Sequence, residues 1–153
     1  MKRRFLVSII GGHDCDEPTA KLAEEIGRTV AQEGGVVVCG GLTGIMEAAC
    51  KGARSEGGLT VGIIPGENKE DANRFVDIVV PTGMGYSRNA LVAGTGDIII
   101  ALPGKYGTLT EIAFALNSKK AVYGFGTWDI PGVEKLASLE DLREVLKKSV
   151  SKP

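Results

Sequence analysis

The segment Asp97-Ile-Ile-Ile-Ala-Leu-Pro-Gly-Lys-Tyr-Gly-Thr-Leu-Thr-Glu111 passes from an apolar run, through a glycine-containing loop, into a helical pattern. A short run that is apolar at every position, as in residues 98–102, reads as a strand buried on both faces of a parallel sheet. The glycines after it permit a sharp turn and a close backbone approach. N–H groups at the start of the following helix attract anions. This one segment therefore predicts a strand–loop–helix unit whose turn can cradle a phosphate, with the Glu111 carboxylate in the first helical turn.

The same pattern repeats along the chain. Apolar runs at residues 5–10, 36–39, 60–64, 77–80 and 121–125 supply five further strands. Between them, Leu22, Ala23, Ile26 and Val30 mark a helix that Pro18 opens and Gly34-Gly35 ends. Ile45, Ala48, Ala49 and Ala53 mark a second, stopped at Gly57-Gly58; residues 87–94 and 109–117 read as a third and fourth. A fifth begins at Ser138-Leu-Glu-Asp141, a capping-box pattern. Alternation of this kind predicts an α/β fold, an open and mostly parallel sheet with helices on both faces. Ligands of such sheets bind outside the carboxyl ends of the strands, where the glycines gather.

The 22 glycines, about 14% of the chain against a usual ~7%, sit mostly at ends of apolar runs rather than in low-complexity tracts. The 153 residues fit one domain, 1–153, long enough to bury roughly two-thirds of its unfolded surface. Lys+Arg 18 against Asp+Glu 19 gives a net charge of −1, and Lys2-Arg3-Arg4 is the one basic run, so no nucleic-acid partner is expected. No apolar stretch approaches the ~18 residues that span a bilayer, and Gly11-Gly12-His13-Asp14 follows the first run in place of a cleavage-like segment. Cys15, Cys39 and Cys50 are odd in number and lack C-x-x-C spacing. That argues against a metal site or disulfide framework and for a reducing cytoplasm.

Three loops point to the same edge. Cys39-Gly40-Gly41-Leu42-Thr43-Gly44-Ile45-Met46 leaves the second strand and suits either a tight turn or an anion loop. It is neither a Walker A loop nor G-x-G-x-x-G. Pro81-Thr-Gly-Met-Gly-Tyr-Ser-Arg88-Asn89 enters the third helix with Ser87 as its N-cap. Arg88 then lies where the helix dipole disfavours a cation, so it faces an anion or solvent. In the third loop Gly104, Gly107 and Thr108 can donate to a phosphate, and the positive helix end should keep Glu111 ionised. Thr108-Leu-Thr-Glu111 is equally a capping box. Residue types alone leave the two readings open. His13 stands on a ligand-edge loop without a partner in sequence, and Trp128-Asp129 follow the sixth strand, where they suit a sheet edge or a dimer contact.

Taken in order over roughly residues 4–126, the three loops resemble the LOG family. The motifs are Gly40-Gly41-x-x-Gly44-Ile-Met46, Tyr86-Ser-Arg88-Asn89 and Pro103-Gly104-Lys105-Tyr106-Gly107-Thr108-x-x-Glu111. The wording around Arg88 is closer to a bacterial and archaeal branch that also resembles molybdenum cofactor carrier proteins. The resemblance implies a Rossmann-like, doubly wound homodimer that binds a nucleoside 5′-monophosphate. In catalytic members it implies cleavage of the N-glycosidic bond to free base and ribose 5-phosphate, with no resident cofactor. The alternative it implies is a non-catalytic binder or carrier of a phosphorylated cofactor such as the molybdenum cofactor.

By the resemblance, Arg88 and Glu111 are the catalytic pair. Gly104, Lys105, Gly107 and Thr108 hold the phosphate, and Gly41, Thr43, Gly44 and Met46 line the site. The chain departs from the hydrolase wording at Lys105, where glycine is usual. It departs also at Ser87 and Asn89, where Glu and Lys flank the arginine, and at Thr110, commonly a second Glu. The family's older label, possible lysine decarboxylase, needs a Schiff-base lysine with a pyridinium partner, and no lysine here has that setting.

Overall fold

The computed structural model describes residues 1–152; Pro153, the last residue of the expected domain, lies outside the described residues. Its elements are β1 (Leu6–Ile10), α1 (Glu17–Gln32), β2 (Val36–Cys39), α2 (Ile45–Ser55), β3 (Thr60–Ile64), β4 (Ile78–Pro81), α3 (Asn89–Thr95), β5 (Ile98–Ala101), α4 (Tyr106–Asn117), β6 (Val122–Gly124), β7 (Val133–Lys135) and α5 (Leu139–Val150). All seven strands are parallel, in the order β4-β3-β2-β1-β5-β6-β7. The chain reverses its direction of travel across the sheet between β1 and β5, paired from Val7↔Ile98 to Ile10↔Ala101. That is the switch point at which such sheets open a crevice.

Burial follows the apolar runs. Every residue of β2 and β5 is buried, as the unbroken apolar pattern requires. β4 alternates instead, with Ile78 and Val80 exposed on an edge strand. One core, against α1, α2 and α5, is centred on Val7, Ile9, Ile26, Val37 and Leu146; the other, against α3 and α4, on Ile10, Val38, Ile99 and Ile112. α1 and α2 cross with backbone against backbone: a Cβ at Gly27 would run into the Ala49 carbonyl, and one at Gly52 into that of Glu24. On the other face, the buried Ser8 hydroxyl donates to the Val92 carbonyl at 2.7 Å and pins α3 to β1.

The caps sort the helices. Asp16 accepts from the Thr19 N–H at 2.9 Å, and Pro18 occupies the first turn of α1. Ser138 accepts from the Asp141 N–H at 3.1 Å, while the Asp141 carboxylate reaches back to the Ala137 N–H rather than to that of Ser138.

Three expectations change. β7 was not expected, because Val133-Glu-Lys is a three-residue edge strand with two exposed charged positions and no apolar run. Ser87 is not the N-cap of the third helix. A 3-10 turn over Gly85–Arg88 leads into α3, whose cap position is Arg88 and makes no side-chain capping bond. The fourth helix begins at Tyr106, not Leu109, so Thr108 lies inside it and the Thr108–Glu111 capping box does not form.

Candidate functional site

Four loops meet at the carboxyl edge around the switch point. The β1–α1 and β5–α4 loops are tied by Gly12 N–H donating to the Pro103 carbonyl at 3.0 Å. Gly12 also accepts from the Ile45 N–H at 3.1 Å, which brings the start of α2 alongside. Gly44 has φ +67°, and a Cβ there would lie 2.5 Å from the Gly12 carbonyl oxygen. This junction admits only glycine. Gly41, also left-handed at φ +77°, is held by Asn73, whose N–H and side-chain amide donate to the Gly41 and Leu42 carbonyls at 2.9 and 2.8 Å.

The structure brings Arg88 and Glu111 to one place and buries both, each 7% exposed. Arg88 Nε donates to the Ile63 carbonyl at 2.8 Å, Nη2 to the Gly40 carbonyl at 3.3 Å, and Nη1 to Asn89 Oδ1. The guanidinium therefore caps the carboxyl ends of β2 and β3, where carbonyl oxygens face it, and is not left to the unfavourable end of a helix dipole. Met46 Sδ and Arg88 Nη2 each lie 2.7 Å from where a Cβ on Gly40 would stand, so this glycine is required by the packing of the arginine itself.

Glu111 is the sixth residue of α4, in its second turn rather than its first. Burial pushes its carboxyl up to about 8, against the opposing pull of Arg88. The expectation that the helix end keeps it ionised fails, because lost hydration outweighs a dipole a turn away. Arg88 and Glu111 influence one another without a direct ion pair: none within 4.0 Å joins them among the described residues. One is a buried cation and the other a buried carboxylic acid.

Asn89, named in the motif but given no role, is the residue that sequence reasoning missed. It is buried, and its amide nitrogen lies 3.3 Å from Thr110 Oγ1 and 3.5 Å from the Gly107 carbonyl. It thereby ties Arg88 to the first turn of α4. Its adjacency to Arg88 was the available signal.

The other expected residues distribute as follows. Gly104, Lys105, Gly107 and Thr108 form the β5–α4 turn and the first turn of α4; Thr108 is buried, and its Oγ1 occupies the space a Gly104 side chain would need. A Cβ on Gly107 would meet only Asn89 Nδ2, at 3.6 Å, so the protein has room for one. Lys105 is exposed at the cap position, and its carbonyl accepts from Trp128 Nε1 at 3.2 Å. The Trp128 ring stacks on that of Tyr106. The Thr43 hydroxyl donates to the His13 carbonyl at 2.7 Å, and Met46 covers Gly40. The His13 side chain is exposed, 3.9 Å from the Asp14 carboxylate and apart from the Arg88–Glu111 pair.

Two surface hollows of about 540 Å³ lie elsewhere, one beside Lys51, Arg54 and Arg74 and one at the amino edge beside Gly34, Gly35 and Gly57. They contain none of these groups. The buried Arg88 and Glu111 lie at the carboxyl rim instead. No helix among the described residues is long and apolar enough to cross a membrane.

The chain is similar to several known proteins. A protein of Archaeoglobus fulgidus of uncharacterised function is 44% identical over 116 residues, 76% of each chain. The cytokinin riboside 5′-monophosphate phosphoribohydrolase of Mycobacterium tuberculosis is 36% identical over 95 residues, 60% of this chain and 51% of the enzyme. The chain thus spans about half the length of the hydrolases it matches. The molybdenum cofactor binding protein of Rippkaea orientalis superposes with a TM-score of 0.91 at 31% identity, over 99% of this chain and 100% of that one. The fold is Rossmann-like, and with the family model matched over residues 4–151 the chain belongs to the SLOG cluster4 family, a LOG-like group.

Proposed function

We propose that this chain binds a nucleoside 5′-monophosphate at the carboxyl edge and hydrolyses its N-glycosidic bond, releasing the base and ribose 5-phosphate. The observation that carries the reading is the burial of Arg88 and Glu111 together, without an ion pair between them, beside the first turn of α4. The phosphate takes the N–H groups of Gly107 and Thr108 with the charge of Lys105, and the nucleoside lies across Gly41, Thr43, Gly44 and Met46. Arg88, fixed by Ile63, Gly40 and Asn89, orients the ribose.

Glu111 begins as the acid. With its pKa near 8 it carries a proton at neutral pH. It gives that proton to the leaving base as the C1′–N bond breaks and the sugar gains oxocarbenium character. The resulting carboxylate stabilises that cation and takes a proton from the water that adds to C1′, returning Glu111 to its starting form. One carboxyl thus serves both proton transfers.

We propose further that the protein is a cytoplasmic homodimer. The support is a set of exposed apolar side chains on α3, α4 and the turn before them: Met84, Tyr86, Leu91 and Phe114. Sedimentation at monomer mass would count against it.

A second reading, a carrier of a phosphorylated cofactor such as the molybdenum cofactor, draws support from full-length similarity to a molybdenum cofactor binding protein. Lys105 and Asn89, where hydrolases carry Gly and Lys, favour it too. Incubation with AMP, GMP, CMP and IMP, with free base followed by chromatography, separates the two. Turnover lost in Glu111→Gln supports hydrolysis. Monophosphate binding without release of base supports the carrier.

A further inference from the structure

Two of the three cysteines form a buried pair that the proposed chemistry does not use. Cys39 ends β2 and Cys50 lies mid-way along α2; both are fully buried, with sulfurs 3.4 Å apart. Cys39 Sγ also accepts from the Gly41 N–H at 3.3 Å. The ten residues between the thiols, 40–49, comprise the whole glycine loop and the first turn of α2. Gly40, next in the chain, gives its carbonyl to Arg88. The thiol pair therefore brackets the loop that carries one wall of the site.

We propose that Cys39 and Cys50 are a modification site for hydrogen peroxide, which converts the dithiol into a disulfide that closes residues 40–49 into a covalent ring. The sulfurs must approach by roughly 1.4 Å to reach the S–S bond length of about 2.0 Å. Side-chain rotation at the strand end and on the helix supplies that movement.

Cys39 is the sulfur oxidised first. It accepts from the Gly41 N–H at 3.3 Å and lies within the field of the Arg88 charge, and both favour its thiolate. The Cys39 sulfur attacks one peroxide oxygen, the O–O bond breaks, and a sulfenic acid and one water result. The Cys50 sulfur then attacks the Cys39 sulfur, the S–O bond breaks, and the second water leaves. Two thiols lose two protons and two electrons in all, and the peroxide is reduced to two waters. The peroxide enters through transient local opening of the loop alone, with the α1–α2 pair behind it in place, and the ring it forms restrains that opening.

The test uses the reduced full-length protein and its Cys15→Ser and Cys50→Ala variants, treated with hydrogen peroxide without denaturant and checked by circular dichroism to remain folded. The expected result is loss of two thiols and 2 Da per chain in wild type and Cys15→Ser, with a Cys39–Cys50 cross-linked peptide that dithiothreitol cleaves. Amide exchange across residues 40–46 should slow at least three-fold on oxidation, and should not slow in Cys50→Ala. Folded protein that keeps both thiols, or that cross-links only in urea, overturns the modification site. Cross-linking with unchanged exchange overturns the restraint on the loop. Neither readout involves a nucleotide, so failure of the proposed hydrolysis leaves this inference standing, and the reverse.

Discussion

Glu111→Gln keeps the shape of a buried side chain and removes its ionisation, so it isolates the carboxyl's contribution to stability. The carboxyl titrates near 4.5 in the unfolded chain and at about 8 in the fold. Between those values the native state holds a proton that the unfolded state has lost. Wild-type stability therefore falls as pH rises, by up to about 1.4 kcal/mol per unit. The effect is absent below the unfolded value, accumulates through the window, and is complete once pH exceeds the folded value. Its full extent is on the order of 5 kcal/mol. The attraction of Arg88 for the ionised carboxylate is already contained in the folded value, so it adds no separate pH dependence. The slope is the readout, not the offset. Urea denaturation of both proteins at half-unit steps from pH 5 to pH 9 should show the variant gaining on wild type steadily up to about pH 8, with equal m-values. A pH-independent difference would refute the argument that burial, not the Arg88 charge, governs Glu111. A gain in the opposite direction would restore the ionised carboxylate.

Gly107→Ala should raise stability by about 0.5–1 kcal/mol, since a Cβ is accommodated in the first turn of α4. It should weaken AMP binding at least ten-fold by calorimetry if a phosphate approaches that backbone; a stabilised protein with unchanged affinity would remove the cradle. Arg88→Lys cannot serve the Ile63 and Gly40 carbonyls together with Asn89. It should lose about 2–4 kcal/mol in denaturant titration, and a loss under 0.5 kcal/mol would contradict the fixed fork. Gly52→Ala drives a methyl into the Glu24 carbonyl and should cost about 3 kcal/mol, a fall in Tm of roughly 6–12 °C by calorimetry. Hydrolysis that depends on Glu111 as an acid should decline as pH rises past about 8, and a rate that climbs through that pH would assign Glu111 the role of base from the outset.

Much of the architecture was legible because parallel strands buried on both faces declare themselves. β2 reads Val-Val-Val-Cys and β5 reads Ile-Ile-Ile-Ala, and every residue in them is buried. β7 was not legible, because an edge strand of three residues with two charges has no pattern to read. At the site, the motifs identified Arg88 and Glu111, but their environments came from tertiary contacts. A dipole argument places Arg88 in need of an anion; in the fold, carbonyl oxygens of two strand ends meet much of that need. A capping argument held Glu111 at the helix start, whereas an earlier start to α4 carries it a turn deeper and out of water. Local rules could not weigh desolvation that arises only when α3 and α4 meet.

The glycine crossing of α1 and α2 bears on how the site accommodates a ligand. Two helices notched into one another at Gly27 and Gly52 have no side chains between them to re-pack, so they behave as a single rigid block. The glycine loop is the lip of that block, joined through Ile45 to Gly12. Across the crevice, Arg88 and Asn89 ride on a 3-10 turn and a helix of only seven residues. Any tightening around a bound molecule is therefore one-sided: the α3–α4 half is the moving jaw, the α1–α2 half the fixed one.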